Sequence, residues 1–124
     1  MADEALRVAL AYYEAWTGKD MDKAMTYVAD DIVCDAPAGR IEGVAAYRAF
    51  LEPFAGSLIR SELVAAFGDE EKALVMYDTR TPLVASGPAA EYVTVTGGRI
   101  TYSRFIFDRL PFESARREAR QRAS

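Results

Sequence analysis

The feature that most constrains the fold is a change of hydrophobic period near Ser57. Before it, apolar residues recur at helical spacing; after it they alternate with polar ones, and Gly97-Gly98 separates two of the alternating runs. A period near 3.6 makes a stripe on a helix and a period of two makes a face on a strand, so the first part predicts helices and the second a sheet. A Gly-Gly pair between alternating runs signals a hairpin, because both residues accept positive φ without steric cost. Helices first and antiparallel strands afterward imply an α+β fold with the helices packed on one face of the sheet.

The first helix is expected over 3–17, with Asp3 at the N-cap, Leu6, Leu10, Tyr13 and Trp16 at helical spacing, and Gly18 as the stop. Val8 and Tyr12 widen its apolar stripe, as in a helix covered on two sides. Asp20 is placed to cap a second helix in which Met21, Ala24, Met25 and Val28 share a face and which the Asp30-Asp31 pair ends. A short strand is expected over 32–36 and a turn at Pro37-Ala38-Gly39. Val44, Tyr47, Phe50, Leu51 and Phe54 mark a third helix, which Pro53 should end or kink.

Strands are expected over 59–67, 72–81, 89–96 and 99–108. Alternation turns Tyr77, Thr79, Thr81, Glu91, Val93, Val95, Ser103, Phe105 and Phe107 toward the helices. It turns Met76, Asp78, Arg80, Tyr92, Ile100, Tyr102, Arg104 and Ile106 outward. So much apolar area would be costly to leave in water, and the outer face is expected to form a homodimer interface. Residues 1–110 read as one domain and 111–124 as a helical tail.

Composition narrows the chemistry. A chain of 124 residues fits one domain able to bury roughly two-thirds of its unfolded surface, with room for one cavity. It has no histidine and one cysteine, which excludes a Ser-His-Asp triad, a His-ligated metal and a Cys-rich zinc site. No cofactor and no metal are expected. Proton transfer would fall to Asp, Glu, Tyr, Lys, Cys or water. From Arg109 onward five arginines face two glutamates, giving +3; against the chain's −4, the rest carries −7. So acidic a body argues against nucleic acid as a partner, and the arginine-rich tail reads either as a solvated, frayed helix or as a binding arm. No apolar run is long enough to span a bilayer, and MADEALRV lacks the basic start of a signal peptide, so a cytoplasmic location without membrane attachment is expected.

Glu91 stands out as an acid between apolar strand residues on the inward face. Burial there would raise its pKa and let it act as a hydrogen-bond donor or general acid; the alternative is an edge glutamate reaching solvent past Pro88. Tyr12, Tyr13 and Trp16 read either as pocket lining or as core packing. Cys34 has no histidine to activate it and reads as a small buried contact. Asp35 reads as a surface or rim acid unless a bulge turns it inward.

AYYEAWTGKDMD at the end of the first helix, YVADDIVCDAPAG into the first strand and GGRITYSRFIFD in the last strand together resemble the nuclear transport factor 2-like superfamily. Its members include SnoaL-like cyclases, ketosteroid isomerases and limonene epoxide hydrolases. The resemblance covers nearly the whole chain. It implies a cone-shaped, curved antiparallel sheet with three N-terminal helices on its concave face, a pocket for a small lipophilic molecule, and a homodimer.

Carried over from the isomerases, the carbonyl-polarising tyrosine falls on Tyr12 and the protonated acid on Glu91. The proton-moving aspartate falls on Ala36, with Asp35 one residue early. The epoxide hydrolase constellation falls on Cys34, Ala36, Thr79, Thr81 and Phe105, none of which supplies its chemistry. The resemblance therefore implies Glu91, Tyr12 and a displaced Asp35 as acid, oxyanion partner and base. Tyr13, Trp16, Cys34, Tyr77, Thr79, Thr81 and Phe105 would contact the ligand. The function implied is a pocket protein, extended to acid-assisted isomerisation or cyclisation of a lipophilic carbonyl compound. The alternative is a non-catalytic dimeric module whose cavity is filled by its own side chains.

Overall fold

The computed structural model describes residues 3–123. Helices α1 (Glu4–Thr17), α2 (Met21–Met25) and α3 (Val44–Ser57) are followed by most of a six-stranded sheet and a terminal helix α4 (Leu110–Ala123). The strands are β1 (Val28–Ala36), β2 (Gly39–Glu42), β3 (Arg60–Gly68), β4 (Lys72–Arg80), β5 (Gly87–Thr96) and β6 (Arg99–Phe107), in the order β2-β1-β6-β5-β4-β3. Every pairing is antiparallel except that of β1 with β6, which is parallel. Irregular registers in β1, β3 and across the β5–β6 pair bend the sheet, since an extra residue on one strand increases local twist and curvature. Among the described residues no helix is long and apolar enough to cross a membrane.

The helices cover one face. Ala5, Val8, Ala9, Tyr12 and Trp16 of α1 and Tyr47, Leu51 and Ala55 of α3 are buried against Ala73, Val75, Tyr77, Val93, Val95 and Phe105 of the sheet. β4 alternates strictly between exposed and buried, as a strand with one wet face should.

Local choices depart from the sequence expectations in six places. Asp3 stands at the N-cap but its side chain makes no capping bond; the N–H groups of Ala5 and Leu6 donate to the Asp69 carbonyl at 3.0 and 3.4 Å, so the β3–β4 turn satisfies the helix end. Asp20 does cap α2, accepting from the Lys23 N–H, but α2 is a single short turn. Val28, Asp30 and Asp31 belong to β1, because Ile100 N–H donates to Tyr27 O at 2.7 Å and draws the chain into the sheet early. β2 adds a strand to what reads as a turn, pairing back on β1 with Gly39 at φ 144. α3 runs through Pro53 to Ser57; proline removes one internal bond there, while Leu51 and Ala55 on either side are held in the core.

The sixth departure concerns sheet register. Ile100 is fully buried rather than outward, because the register slips between Thr94 and Val95: Thr94 pairs with Tyr102 while Val95 pairs with Ile100. Thr101 is the extra residue, and it shifts Ile100 to the opposite face from the one simple alternation assigns. The other outward residues are exposed or half-buried as expected.

Candidate functional site

Two features share the concave side of the sheet. The upper one is a cavity of about 410 Å³ between α3, the sheet and α4. Phe50, Leu51 and Phe54 of α3 form one wall, Tyr77, Thr79, Ala89, Phe105 and Phe107 the floor, and Ala36 and Ala38 one end. Arg109 and the α4 residues Phe112, Glu113 and Arg116 border the remaining side. Phe112 docks α4, its ring edge-on to Phe54 at 6.2 Å and to Phe107 at 6.0 Å. Gly87 makes room for this: a Cβ there would stand 2.8 Å from Thr79 Oγ1 and 3.5 Å from the Phe112 ring.

The lower feature is a buried polar cluster centred on Glu91. Glu91 is 3% exposed, and three hydroxyls converge on its Oε2: Ser103 at 2.5 Å, Tyr47 at 2.6 Å and Tyr12 at 3.4 Å. The Tyr12 and Tyr47 hydroxyls also hydrogen-bond each other. Cys34 Sγ donates to Ser103 Oγ at 3.9 Å, extending the chain to β1. Five elements thus supply one network: β1, α1, α3, β5 and β6. The last two place their members directly, since Glu91 pairs with Phe105 across β5–β6 and Ser103 lies two residues along on the same face.

Desolvation raises the Glu91 pKa to about 7, against the donors from Ser103, Tyr47 and Tyr12, which favour the carboxylate and lower it. Burial, followed by the Glu91 charge, holds the phenols of Tyr12, Tyr47 and Tyr77 well above their usual range. Burial pushes the Cys34 thiol up to about 12, which keeps it an unreactive thiol. A carboxyl group that holds or releases its proton near neutral pH, ringed by hydroxyls that stay protonated, is a proton store of fixed geometry. Among the described residues, no three Cys, Asp or Glu side chains converge on a metal-sized space.

Of the residues singled out in the sequence, Glu91, Tyr12 and Cys34 meet in the cluster, and Tyr77, Thr79 and Phe105 line the cavity. Phe105 links the two, its ring stacked 6.2 Å from Tyr47 while it borders the cavity. Tyr13, Trp16 and Thr81 do not border the cavity; for Tyr13 and Trp16 the core-packing alternative describes their surroundings. Tyr13 bonds Ser61 and packs on Trp16 and Tyr77. Trp16 is fully buried among Tyr13, Phe54 and Tyr77, with its Nε1 the one buried side-chain polar atom without a partner among the described residues. Thr81 fastens the β4–β5 connection by accepting from Val84 N–H.

Asp35 takes the surface position and not the inward one that a base would need. It lies on the opposite face of β1 from Cys34, where Tyr102 OH donates to it at 2.6 Å and Arg40 pairs with it at 3.1 Å. Those hydrogen bonds, Tyr102 first, lower its pKa, so it stays a carboxylate away from Glu91. The β1 irregularity lies upstream, between Val28 and Val33, and leaves Asp35 outward. Ala36, which does border the cavity, presents only a methyl group there.

Tyr47, Ser103 and Phe112 are the site residues that sequence reasoning passed over. A tyrosine on the apolar stripe of the third helix and a serine among inward strand residues were the available signals, because each puts a hydroxyl where burial demands a partner. Nothing local marks Phe112, whose role depends on where α4 folds back.

The geometry invites comparison with known proteins. The SnoaL-like domain matches residues 9–106, most of the chain and every member of the Glu91 cluster. The chain belongs to the SnoaL-like family. Among solved structures, a protein from Kribbella flavida DSM 17836 is 57% identical with a TM-score of 0.93, over 94% of this chain and 97% of that one. An NTF2-like protein of unknown function from Cytophaga hutchinsonii ATCC 33406 is 19% identical with a TM-score of 0.71, over 85% and 90%. An LEH-like epoxide hydrolase from M. tuberculosis is 21% identical with a TM-score of 0.72, over 90% and 88%. The latter two share the fold, and at that identity they carry nothing about the reaction. A comparison with curated proteins finds none that matches.

Proposed function

We propose that this SnoaL-like domain is a pocket protein that binds a small lipophilic molecule in the cavity above the Glu91 cluster. The observation that carries the reading is the cavity itself: about 410 Å³, walled largely by Phe50, Phe54, Phe105, Phe107 and Phe112, within the size range of small-molecule sites. It speaks against a module whose interior is filled by its own side chains. Burial of an apolar ligand of this size against aromatic rings supplies affinity without any charged contact. Ala89→Phe would fill the floor of the cavity. Calorimetric titration with decan-2-one is expected to give saturable binding to the parent chain and none to this variant, with the same far-ultraviolet circular dichroism; equal binding to both sinks the reading.

A catalytic extension is supported by one further observation, the convergence of Tyr12, Tyr47 and Ser103 on a carboxyl that carries a proton near neutral pH. In this reading Glu91 is the acid in isomerisation or cyclisation of a carbonyl compound, and the tyrosine pair steadies the developing enolate. Phe105 stands between the cavity and the cluster, so this reading requires its ring to move aside for a carbonyl group to reach Glu91. No acid from β1 serves as base, since Ala36 faces the cavity and Asp35 does not. Turnover of a cyclic β,γ-unsaturated ketone should fall at least a hundredfold in Glu91→Gln; unchanged turnover removes Glu91 from the reaction.

The outer sheet face is proposed as the homodimer interface. Phe67 is paired with Leu74, and Met76 and Ile106 flank Ala90 on neighbouring strands, with exposures of 72%, 44%, 44% and 59% for Phe67, Leu74, Met76 and Ile106. Sedimentation is expected to give a dimer that Met76→Lys converts to monomer; a parent chain that sediments as a monomer at micromolar concentration contradicts it.

A further inference from the structure

We infer that the cavity's ligand is a lipophilic monoanion, with its carboxylate held by Arg116 at the cavity mouth and its apolar body among the phenylalanines. The inference rests on the cavity being a ligand site. What decides the class of ligand is where the charge lies.

The charged residues bordering the cavity all come from one short stretch, Arg109, Glu113 and Arg116. Arg109 and Glu113 neutralise each other through an ion pair at 2.9 Å. The Arg116 guanidinium, among the described residues, makes no hydrogen bond or ion pair with a protein group, so the mouth keeps one uncompensated positive charge. This is the reverse of the rest of the molecule, in which residues before Arg109 sum to −7. Charges more than about 8 Å apart are largely screened at physiological ionic strength, so the local arginine and not the distant acidic surface meets an incoming head group. A guanidinium matches a carboxylate with two parallel N–H donors, which a hydroxyl or ketone oxygen cannot use equally.

Orientation follows from the opposite end. The floor includes Phe105 and Tyr77, and the Glu91 carboxyl lies beyond Phe105, its cross-strand neighbour, bonded to the Tyr47 whose ring stacks on Phe105. An anion pushed inward would lose its hydration against aromatic rings and face an acid that is itself ready to ionise. Directed outward, the carboxylate stays at a wet rim where Arg116 is exposed. One net charge suits a monoanion; a phosphate monoester would remain half-neutralised.

Size limits the body. At the packing density of protein interiors, about 410 Å³ of cavity takes on the order of 300 Å³ of ligand, or roughly 15 non-hydrogen atoms. Dodecanoate and dodecan-1-ol are of this size and differ only at the head, which makes them the probes of choice.

The test is a calorimetric titration of the full chain at pH 8 and low salt, with each probe below its micelle concentration. Dodecanoate is expected to bind about tenfold more tightly than dodecan-1-ol, and Arg116→Gln to abolish that preference while shifting the alcohol less than about twofold. Arg116→Lys should restore part of the preference, since it returns the charge without the planar fork. Equal affinity of the parent chain for the two probes, or equal weakening of both by Arg116→Gln, overturns the assignment of the head group and leaves the apolar cavity reading standing. Dodecyl phosphate binding more than about tenfold tighter than dodecanoate overturns the single-charge argument. Binding of neither probe overturns the cavity reading itself, and this inference with it.

Discussion

Glu91→Gln should remove a pH dependence of stability whose size follows from the burial of one carboxyl. The folded protein holds the Glu91 pKa at about 7, against an ordinary value of 4.5. Between those values the native state keeps a proton that the unfolded chain has released. Raising the pH through this window therefore favours unfolding, and the stabilisation present at low pH is lost as pH passes 7. A separation of about 2.5 pH units corresponds to about 3 kcal/mol in full, and integration from pH 5 to pH 8 gives about 2–3 kcal/mol.

The glutamine is close in shape and still accepts from Tyr47 and Ser103, but it does not titrate. Urea unfolding of the two proteins at pH 5, 6, 7 and 8 gives a difference curve in which the other carboxylates cancel. The parent chain should lose about 2–3 kcal/mol relative to the variant across that range, a shift of about 1–2 M in urea midpoint for a domain of this size. A flat difference curve would refute the reasoning, since it would mean that Glu91 is solvated and titrates like any surface glutamate.

Tyr47→Phe deletes the 2.6 Å donor to Glu91 and should cost about 1–3 kcal/mol by urea unfolding, more at pH 8 than at pH 5, because the lost bond serves the ionised carboxylate best. The opposite pH trend would contradict the assigned direction of the bond. Cys34, fully buried and with its thiol pushed up to about 12, should resist a disulfide reagent in the native protein and react in step with urea unfolding; rapid native labelling would show that the cluster opens to solvent. Gly68→Ala should destabilise by about 1–3 kcal/mol in thermal unfolding, since its Cβ would meet Lys72 O at 2.7 Å and Ala73 Cβ at 2.8 Å; a neutral effect would show that the β3–β4 turn relaxes freely.

The sheet faces were legible wherever a strand runs without interruption. β4 alternates strictly and β5 does so from Glu91 onward, which is why Glu91, Tyr77 and Thr79 could be assigned inward from periodicity alone. Ile100 shows the limit: Thr101 adds one residue to β6, and a single extra residue reverses every face assignment on one side of it. The α2–β1 boundary failed for a related reason. Met21, Ala24, Met25 and Val28 fit a helical face, but the bond from Ile100 N–H to Tyr27 O captures the chain as a strand, and that partner is distant in sequence. Pro53 misled in the other direction, since the core contacts of Leu51 and Ala55 outweigh one missing helical bond.

The site was half legible. Glu91 and Tyr12 followed from an inward strand position and a resemblance on the first helix, and they do share a network. Tyr47, which bridges them, was visible only as one more apolar position on α3. Asp35 and Cys34 were separable by alternation, which the structure upholds: the thiol is inside and the acid outside. Arg116 and Phe112 reach the cavity only because α4 returns over Gly87, and helical periodicity carries no information on where such a helix docks.

The central claim, that the cavity is a site for a lipophilic ligand, is tested most directly by methyl-labelled alanine spectra during titration with decan-2-one. Ala36, Ala38 and Ala89 border the cavity, whereas Ala5 and Ala24 are buried in the core away from it. Saturable shifts of the first three with one common dissociation constant, and little movement of the other two, are the predicted result. No saturable shift at Ala36, Ala38 and Ala89, or equal drift at all five, would contradict it.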